Sequence, residues 1–235
     1  FIALSFAFCL KLYPAIFGLL LIREKRWKDV VHAVFWALFL FFIPMFFLKG
    51  GVSENCRILF QNLTSFSGSI SSGFSIANCS VKNIFLLFLG FLKRVLPFFR
   101  LEAVYVDGLS KIVIVLVAVL CVISTFILSK KWLQYLSLSL MCVLIPSVSY
   151  MYSCIFLVIP LIEFFNDDCF ADKKLNYWYV LLFLFVFVFN TIPVYVFKDF
   201  NLVLSYVLIL FSLVGFVFML LYEDICMIKT KSISK

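Results

Sequence analysis

An apolar run that ends in a basic cluster opens the chain: residues 1–28 are FIALSFAFCLKLYPAIFGLLLIREKRWK. Residues 1–22 are apolar apart from Ser5, Lys11 and Tyr13, and the next six residues carry five charges and a tryptophan. About 20 apolar residues are enough to cross the hydrocarbon core of a bilayer, and a basic, aromatic boundary is typical of a cytoplasmic helix end. This segment therefore predicts a membrane-crossing helix.

The composition of the whole chain supports the same interpretation. Of its 235 residues, 65% are apolar, 20% are aromatic and only 14% are charged, against roughly 25% charged residues in an ordinary soluble domain. So much apolar surface excludes a water-soluble globule, a disordered chain and a small disulfide scaffold. Because the sequence starts with Phe inside an apolar run, we expect an N-terminally truncated fragment of a longer protein.

Further apolar runs predict an all-α fold, a polytopic transmembrane helical bundle of about seven crossings within a single domain, residues 1–235. The expected crossings are residues 1–22, 30–48, 112–128, the two halves of 133–165, 177–197 and 202–222. Residues 133–165 are too long for one crossing, and Pro146 with the polar cluster after it predicts a break there.

Two segments between these runs are different. Residues 49–83 are rich in Ser, Gly and Asn and predict one long external loop. Residues 84–92 are apolar but soon meet Lys93, Arg94 and a proline, which favours a re-entrant or interfacial amphipathic helix. A rival topology makes residues 84–99 a true crossing and residues 133–165 one helix.

The net charge of +8 has a topological meaning. The short inner segments of the favoured topology hold eleven of the 20 basic residues, and the short outer turns hold only Lys198. Since basic residues concentrate in cytoplasmic loops, we expect a multi-pass integral membrane protein whose short basic segments face the cytoplasm. The same distribution argues against a nucleic-acid partner.

Lys11 is the most informative single residue. It lies twelve positions before Arg23, which is about 18 Å along a helix and therefore deep in the membrane. A cation at that depth costs several kcal/mol unless it has a partner or a wet cavity. Lys11 therefore serves function, extends its ammonium group outward to the membrane surface, or pairs with an acid on a helix upstream of this fragment. Tyr13 and Pro14 beside it indicate a polar notch at a helix kink.

Other polar residues are less informative. Lys93 and Arg94 either bind a lipid phosphate or anchor the chain at headgroups. Cys56 and Cys79 in the expected loop either form a disulfide or stay as two thiols. With His32 as its only histidine, the chain offers no triad and no multi-histidine metal site, so no metal or cofactor is predicted.

Three short motifs in order resemble glycosyltransferase family 87, integral membrane enzymes that use polyprenyl-phosphate-linked sugars. Lys11-Leu12-Tyr13-Pro14 is similar to the Lys-x-x-Pro segment of that family, and Asn78-Cys79-Ser80-Val81 is similar to its Asn-x-Ser-Leu segment. Ser149-Tyr150-Met151-Tyr152 resembles its Ser-Trp-x-His stretch, with Tyr150 in place of Trp and Tyr152 in place of His.

The resemblance implies a GT-C type fold and a hexosyltransferase that moves a hexose such as mannose. The expected location is a bacterial plasma membrane, with the active site on the outer side. The expected partners are a polyprenyl-phosphate-linked donor, a cell-envelope glycan or glycolipid acceptor, and membrane lipid. The implied substrate-binding residues are Lys11, Tyr13, Asn78, Ser80, Lys93, Arg94, Tyr150 and Tyr152.

An inverting transfer needs a carboxylate base for the acceptor hydroxyl and fixed positive charge for the departing phosphate. Lys11 is the expected phosphate partner. The resemblance places the base in a first external loop upstream of this fragment. A transporter or flippase for a lipid-linked saccharide, and a noncatalytic membrane subunit, stay open as alternatives.

Overall fold

The computed structural model describes residues 2–10, 13–70, 78–96, 103–167, 173–188, 195–197 and 202–233. Apart from one short ribbon, the regular structure in these ranges is helical, so the predicted all-α class is confirmed. The chain divides into two compact units, Phe1–Ser72 and Gly73–Lys235, and the single transmembrane domain stays a prediction. Each unit is described by itself.

The first unit contains four α-helices and a 3₁₀ segment. They are α1 (Ile2–Leu10), the 3₁₀ segment Tyr13–Phe17, α2 (Gly18–Arg23), α3 (Trp27–Phe47) and α4 (Gly51–Ile70). The tighter 3₁₀ turn contains Pro14, whose ring opposes a regular α-helix at that point. The Ser5 hydroxyl donates to the Ala33 carbonyl at 2.8 Å and joins α1 to α3.

Residues 51–70 form helix α4, so the prediction of an irregular loop over residues 49–83 is wrong for this part. Polar side chains that suggested a loop are satisfied within the helix: Asn55 Nδ2 donates to the Gly51 carbonyl at 2.7 Å, and Arg57 pairs with Glu54 at 2.6 Å. Gly50 and Gly51 have φ of 100° and 69°, a left-handed turn that reverses the chain between α3 and α4. Whether this segment lies outside the cell stays a prediction.

The second unit contains six α-helices, a 3₁₀ segment and a ribbon. They are α5 (Val81–Val95), α6 (Ala103–Ile127), α7 (Lys131–Leu144), the 3₁₀ segment Met151–Leu157, α8 (Val158–Asn166), α9 (Lys173–Phe187), β1 (Tyr195–Phe197), β2 (Leu202–Val203) and α10 (Leu204–Ile233). Strands β1 and β2 are antiparallel, with Tyr195 opposite Val203.

The predicted break in residues 133–165 is confirmed, because α7 ends at Leu144 and Pro146 follows. The single helix that the rival topology places over residues 133–165 is therefore wrong, whereas its crossing at residues 84–99 stays a prediction. The predicted helix after residue 84 is present as α5, which begins at Val81. Its position relative to the membrane stays a prediction.

Helix α7 forms the core of the second unit and packs against α6, α8 and α10. Twelve of its residues are buried, from Trp132 to Leu144. The Trp132 ring lies 4.9 Å from that of Phe164 and 4.7 Å from that of Tyr179, both edge-on. Such aromatic contacts hold α7, α8 and α9 together.

Three described helices are long and apolar enough to cross a membrane: Trp27–Phe47, Tyr105–Ile127 and Leu204–Thr230. Shorter apolar helices cover Tyr13–Arg23, Met151–Asn166 and Asn176–Phe187. The count of about seven crossings therefore stays a prediction. The last hairpin differs from expectation, since α9 ends at Phe187 and a strand occupies Tyr195–Phe197.

Candidate functional site

The structure brings together two of the three motifs found in the sequence. Asn78 and Tyr150 form an isolated antiparallel bridge, and the Cys79 amide donates to the Ser149 carbonyl at 2.6 Å. Segment 78–80 leads into α5, whereas segment 147–152 joins α7 to the following 3₁₀ turn. We call this junction of residues 78–80 and 147–152 the motif junction.

The Asn78 side chain holds the motif junction closed. Its Oδ1 accepts the amides of Ser80 and Ser149 at 3.1 and 3.0 Å, and its Nδ2 donates to the Ser147 carbonyl at 3.2 Å. Asn78 is only 5% exposed, so these bonds replace water for groups that would otherwise be costly to bury. Both lone pairs of Oδ1 are used, which makes Asn78 a positioning residue.

Two further side chains complete this network. Asn83 Nδ2 donates to the Asn78 carbonyl at 2.8 Å and to the Tyr206 hydroxyl at 2.7 Å. The Tyr206 hydroxyl in turn donates to the Asn78 carbonyl at 2.7 Å. The sequence analysis missed both residues. Tyr206 lies 128 residues after Asn78 on α10, and no motif connects the two positions.

Tyr150 and Tyr152 form the exposed face of the motif junction. Their rings stack with centroids 6.0 Å apart and planes 28° apart, and they are 37% and 62% exposed. The backbone beneath them is fixed, because the Ser153 amide donates to the Tyr150 carbonyl at 2.8 Å. An exposed aromatic face on a fixed backbone can hold an apolar ring face and hydrogen-bond to hydroxyl groups around it.

Ser80 has a structural position as well. It is 1% exposed, and its hydroxyl accepts the Asn83 amide at 3.3 Å as the N-cap of α5. Lys93 and Arg94 lie in the last turn of α5 and are exposed. Thirteen residues of helix place Lys93 about 20 Å from Ser80, so the structure does not bring these two cations to the motif junction.

The cysteines do not follow the suggested pairing of Cys56 with Cys79. Both are free thiols, and the Cys56 thiol contacts the Met45 sulfur at 3.4 Å. The Cys79 thiol instead shares a hydrogen bond with Cys154, and this bond, together with burial, raises the pKa of Cys79 far above its ordinary value. Cys79 is therefore a neutral thiol at physiological pH.

Lys11 lies outside the described residues. Tyr13, the first residue of its 3₁₀ segment, belongs to the first unit and is half-buried. The roles of both in substrate binding stay predictions.

Within the described ranges, the carboxylates of Glu54 and Asp107 near the predicted outer side are engaged in ion pairs. Asp107 pairs with Lys82 at 3.2 Å and with Lys111 at 2.7 Å. The pair with Lys82 joins α5 to α6. Because two cations stabilise the carboxylate of Asp107, it is a poor acceptor for a proton and does not suit the role of a general base. Among the described residues, no group of three or more His, Cys, Asp or Glu side chains is placed to hold a metal ion.

Asp224 is a buried carboxylate that the sequence analysis did not single out. It is 3% exposed on α10, and its Oδ2 accepts the Ser124 hydroxyl of α6 at 2.6 Å. Its Oδ1 has no hydrogen-bond partner in the described part of the chain. The predicted crossing ended at residue 222, two positions too early to include Asp224. Extending the apolar pattern through residue 228 would have placed an acid inside the helix.

The comparisons with known proteins agree with the motifs. The sequence profile described as glycosyltransferase family 87 matches residues 2–160, which include all three motifs. No curated protein and no solved structure matches the chain. Since the profile covers more than half of the 235 residues, the chain belongs to glycosyltransferase family 87.

Proposed function

We propose that this membrane glycosyltransferase moves a hexose such as mannose from a polyprenyl-phosphate donor to a cell-envelope glycan or glycolipid on the outer face of the membrane. The family supplies the class of reaction. The donor, the sugar, the acceptor and the side of the membrane belong to the proposal.

The motif junction is the observation that supports a particular place for the sugar. Two motifs that lie about 70 residues apart, Asn78–Ser80 and Ser149–Tyr152, meet in the motif junction. The buried Asn78 fixes the backbone of both, and Tyr150 and Tyr152 are exposed above it. This arrangement favours the two tyrosine rings as the surface that receives a sugar, and Asn78 and Ser80 as residues that position it.

The phosphate of the donor needs a different partner. A departing polyprenyl phosphate carries developing negative charge, and a fixed ammonium in a water-poor setting stabilises it strongly. Lys93 and Arg94 lie too far along α5 to act at the motif junction. We therefore keep Lys11 as the phosphate partner, on the strength of its predicted depth in the membrane.

The test uses the full-length protein, purified and reconstituted with a polyprenyl-phosphate sugar labelled in the sugar. We expect Lys11→Met to lower the rate of transfer by about 10²–10³-fold, the usual cost of losing one charge-stabilising group. Lys11→Arg keeps the charge and should retain more activity. Lys25→Met, a change in the exposed basic turn before α3, is the matched control and should leave the rate unchanged.

The same experiment separates the alternatives. Unchanged transfer by Lys11→Met would remove Lys11 from the mechanism. Translocation of the labelled lipid without sugar transfer would favour a flippase. Transfer that requires an added second protein would favour a noncatalytic subunit.

A further inference from the structure

A buried acid and a buried hydroxyl join two helices that are long enough to span a membrane. Asp224 lies in the apolar segment Leu204–Thr230 of α10, and Ser124 lies in the segment Tyr105–Ile127 of α6. Their side-chain oxygens are 2.6 Å apart, and the two residues are 3% and 0% exposed. Neither residue belongs to the motif junction or to the proposed transfer of sugar, so the contact needs an explanation of its own.

The number of hydrogen atoms that Ser124 can donate indicates the protonation state of Asp224. The Ser124 oxygen also lies 2.9 Å from the Leu120 carbonyl oxygen, one helical turn earlier. A hydroxyl group has one hydrogen to donate and two lone pairs that accept. An ionised carboxylate would compete with the Leu120 carbonyl for that single hydrogen. A protonated carboxyl group instead donates to Ser124, and Ser124 then donates to Leu120, so that both contacts become complete hydrogen bonds.

The second oxygen of the Asp224 carboxyl group favours the same state. Oδ1 has no hydrogen-bond partner, and Asp224 forms no ion pair with any side chain that the structure describes. A carboxylate that is removed from water without a counter-charge is much more costly to bury than a neutral carboxyl group. The surroundings therefore favour the neutral acid.

The titratable groups that face Asp224 offer no positive charge. Cys121 on α6 and Tyr179 on α9 are buried and lie within electrostatic range of Asp224, and side chains of both types are neutral at physiological pH. On α10 itself, the adjacent Glu223 is a second acid. Helix α7 also contacts α10, but its one charged residue, Lys131, is exposed at the start of the helix.

We propose that Asp224 holds a proton within the membrane and that this proton forms the hydrogen bond between α10 and α6. We call this bond the Asp224 latch. At the other end of α10, the Tyr206 hydroxyl donates to the Asn78 carbonyl in the motif junction at 2.7 Å. Asp224 lies 18 residues after Tyr206, about 27 Å along the helix, so the latch fixes the end of α10 that is opposite to the motif junction.

The Asp224 latch makes stability depend on pH. At neutral pH this carboxyl group is ionised in the unfolded chain, as an ordinary aspartate is, whereas it keeps its proton in the folded chain. Because the folded state binds the additional proton, the free energy of unfolding should fall as the pH rises. The inference does not rest on the donor, the sugar or any catalytic role.

The first test is infrared spectroscopy of the full-length protein, reconstituted in lipid at neutral pH. A protonated carboxyl group gives a carbonyl band above the amide I band, whereas ionised carboxylates absorb below it. We expect Asp224→Asn to remove one such band. Ser124→Ala should move that band to higher frequency, because the carboxyl hydroxyl loses its acceptor. Glu54→Gln, a change at an acid that pairs with Arg57, is the matched control and should leave the band unchanged.

The second test compares thermal unfolding in detergent at neutral and at alkaline pH. Asparagine keeps an N–H donor for Ser124 and cannot ionise. The unfolding midpoint of the parent protein should therefore fall further between the two pH values than that of Asp224→Asn, by about 2–4 °C, the shift expected for the loss of one hydrogen bond.

Two results would overturn the inference. One is a parent protein that shows, at neutral pH, no protonated carboxyl band that Asp224→Asn removes. The other is a pH dependence of unfolding that is the same in the parent protein and in Asp224→Asn. If Asp224→Asn does not fold, the Ser124→Ala spectrum decides, since a band that does not move would place the protonated carboxyl group elsewhere. Loss of sugar transfer alone would not bear on Asp224, so the two proposals fail separately.

Discussion

At the scale of single residues, Asn78 carries the motif junction. Asn78→Ala leaves the amides of Ser80 and Ser149 without their acceptor in a buried setting. Each unsatisfied buried group costs about 1–3 kcal/mol, so with two such amides we expect the free energy of unfolding of the second unit to fall by about 2–6 kcal/mol. The measurement is thermal unfolding in detergent, with limited proteolysis between residues 145 and 152 as the signal that this segment has opened.

The matched control for this prediction is Asn62→Ala, because Asn62 is exposed on α4. That variant should unfold at the same temperature as the parent protein. Equal stability of the Asn78 and Asn62 variants would show that Asn78 does not hold the junction.

Tyr150 and Tyr152 give a prediction about substrate rather than stability. Because their rings are exposed and stacked, removing one should weaken sugar binding by about 1 kcal/mol, which is roughly a fivefold loss of kcat/KM. Tyr150→Phe and Tyr152→Phe keep the rings and should retain most of the activity. Tyr177→Ala, at an exposed tyrosine on α9, should have no effect. If Tyr150→Ala and Tyr152→Ala have the same kcat/KM as Tyr177→Ala in a steady-state assay, the two tyrosine rings do not form the sugar-binding surface.

The motif junction shows which features of the site the sequence could predict. Short motifs singled out Asn78, Ser80, Tyr150 and Tyr152, which the structure brings together. They could not reveal that the side chain of Asn78 hydrogen-bonds to three backbone groups, because those bonds depend on how α5 and α7 pack in the folded chain. The sequence did not reveal Tyr206 for the same reason, because its hydroxyl bonds to Asn78 and Asn83 only when α10 packs beside the start of α5.

At the scale of helices, the contact between α9 and α10 depends on Gly215. A Cβ at this position would lie 2.7 Å from Cδ2 of Leu182, and Leu182 is only 4% exposed. Small residues allow membrane helices to approach closely, so Gly215→Leu should destabilise the protein by about 1–3 kcal/mol through overpacking. The midpoint of thermal unfolding in detergent is the measurement.

A compensating change makes this prediction specific. Leu182→Ala removes the obstructing side chain, and the double variant should be more stable than Gly215→Leu alone. Gly108→Ala on α6 is the control, because nothing lies within 4 Å of its added carbon, and it should be neutral. A double variant as unstable as the sum of its parts would contradict the proposed contact.

The sequence predicted a helix boundary correctly where an apolar run ended at a proline. It did not predict helix α4, which has no such run. Pro146 correctly marked the end of α7. Helix α4 was missed because Ser and Asn favour loops when nothing else is known. In the folded chain, its half-buried residues Val52, Cys56 and Leu59 recur at helical spacing, and the polar side chains bond within the helix. A test for helical periodicity over residues 51–63 could have found this pattern.

At the scale of the whole molecule, the surface of the long helices indicates lipid as their solvent. Only 6% of the apolar window in Trp27–Phe47 is buried, and Phe35, Phe46 and Phe47 are 59%, 72% and 85% exposed. In water such a surface would aggregate, whereas hydrocarbon tails accept it at no cost. Lipid is therefore the solvent that this surface requires. The charged turns at the helix ends then determine which side of the membrane each turn faces.

That orientation gives the last prediction. The turn between α2 and α3 and the helix ends beside it carry Arg23, Lys25, Arg26 and Lys28. The turn before α7 and the first residue of α7 carry Lys130 and Lys131. The bend after α7 carries no basic residue between positions 145 and 152. The positive-inside rule predicts that the first two turns are cytoplasmic. With α7 as a crossing, we expect the motif junction on the outer side.

Single cysteines test this assignment in a variant whose native cysteines other than Cys79 and Cys154 are replaced by alanine. In intact cells, a membrane-impermeant maleimide should label Ser147→Cys, since Ser147 is exposed in the bend. Lys25→Cys and Lys131→Cys, also at exposed positions, should be labelled only after the cells are permeabilised. The reverse pattern would move the motif junction to the cytoplasmic side, where an outer-face sugar acceptor would be out of reach.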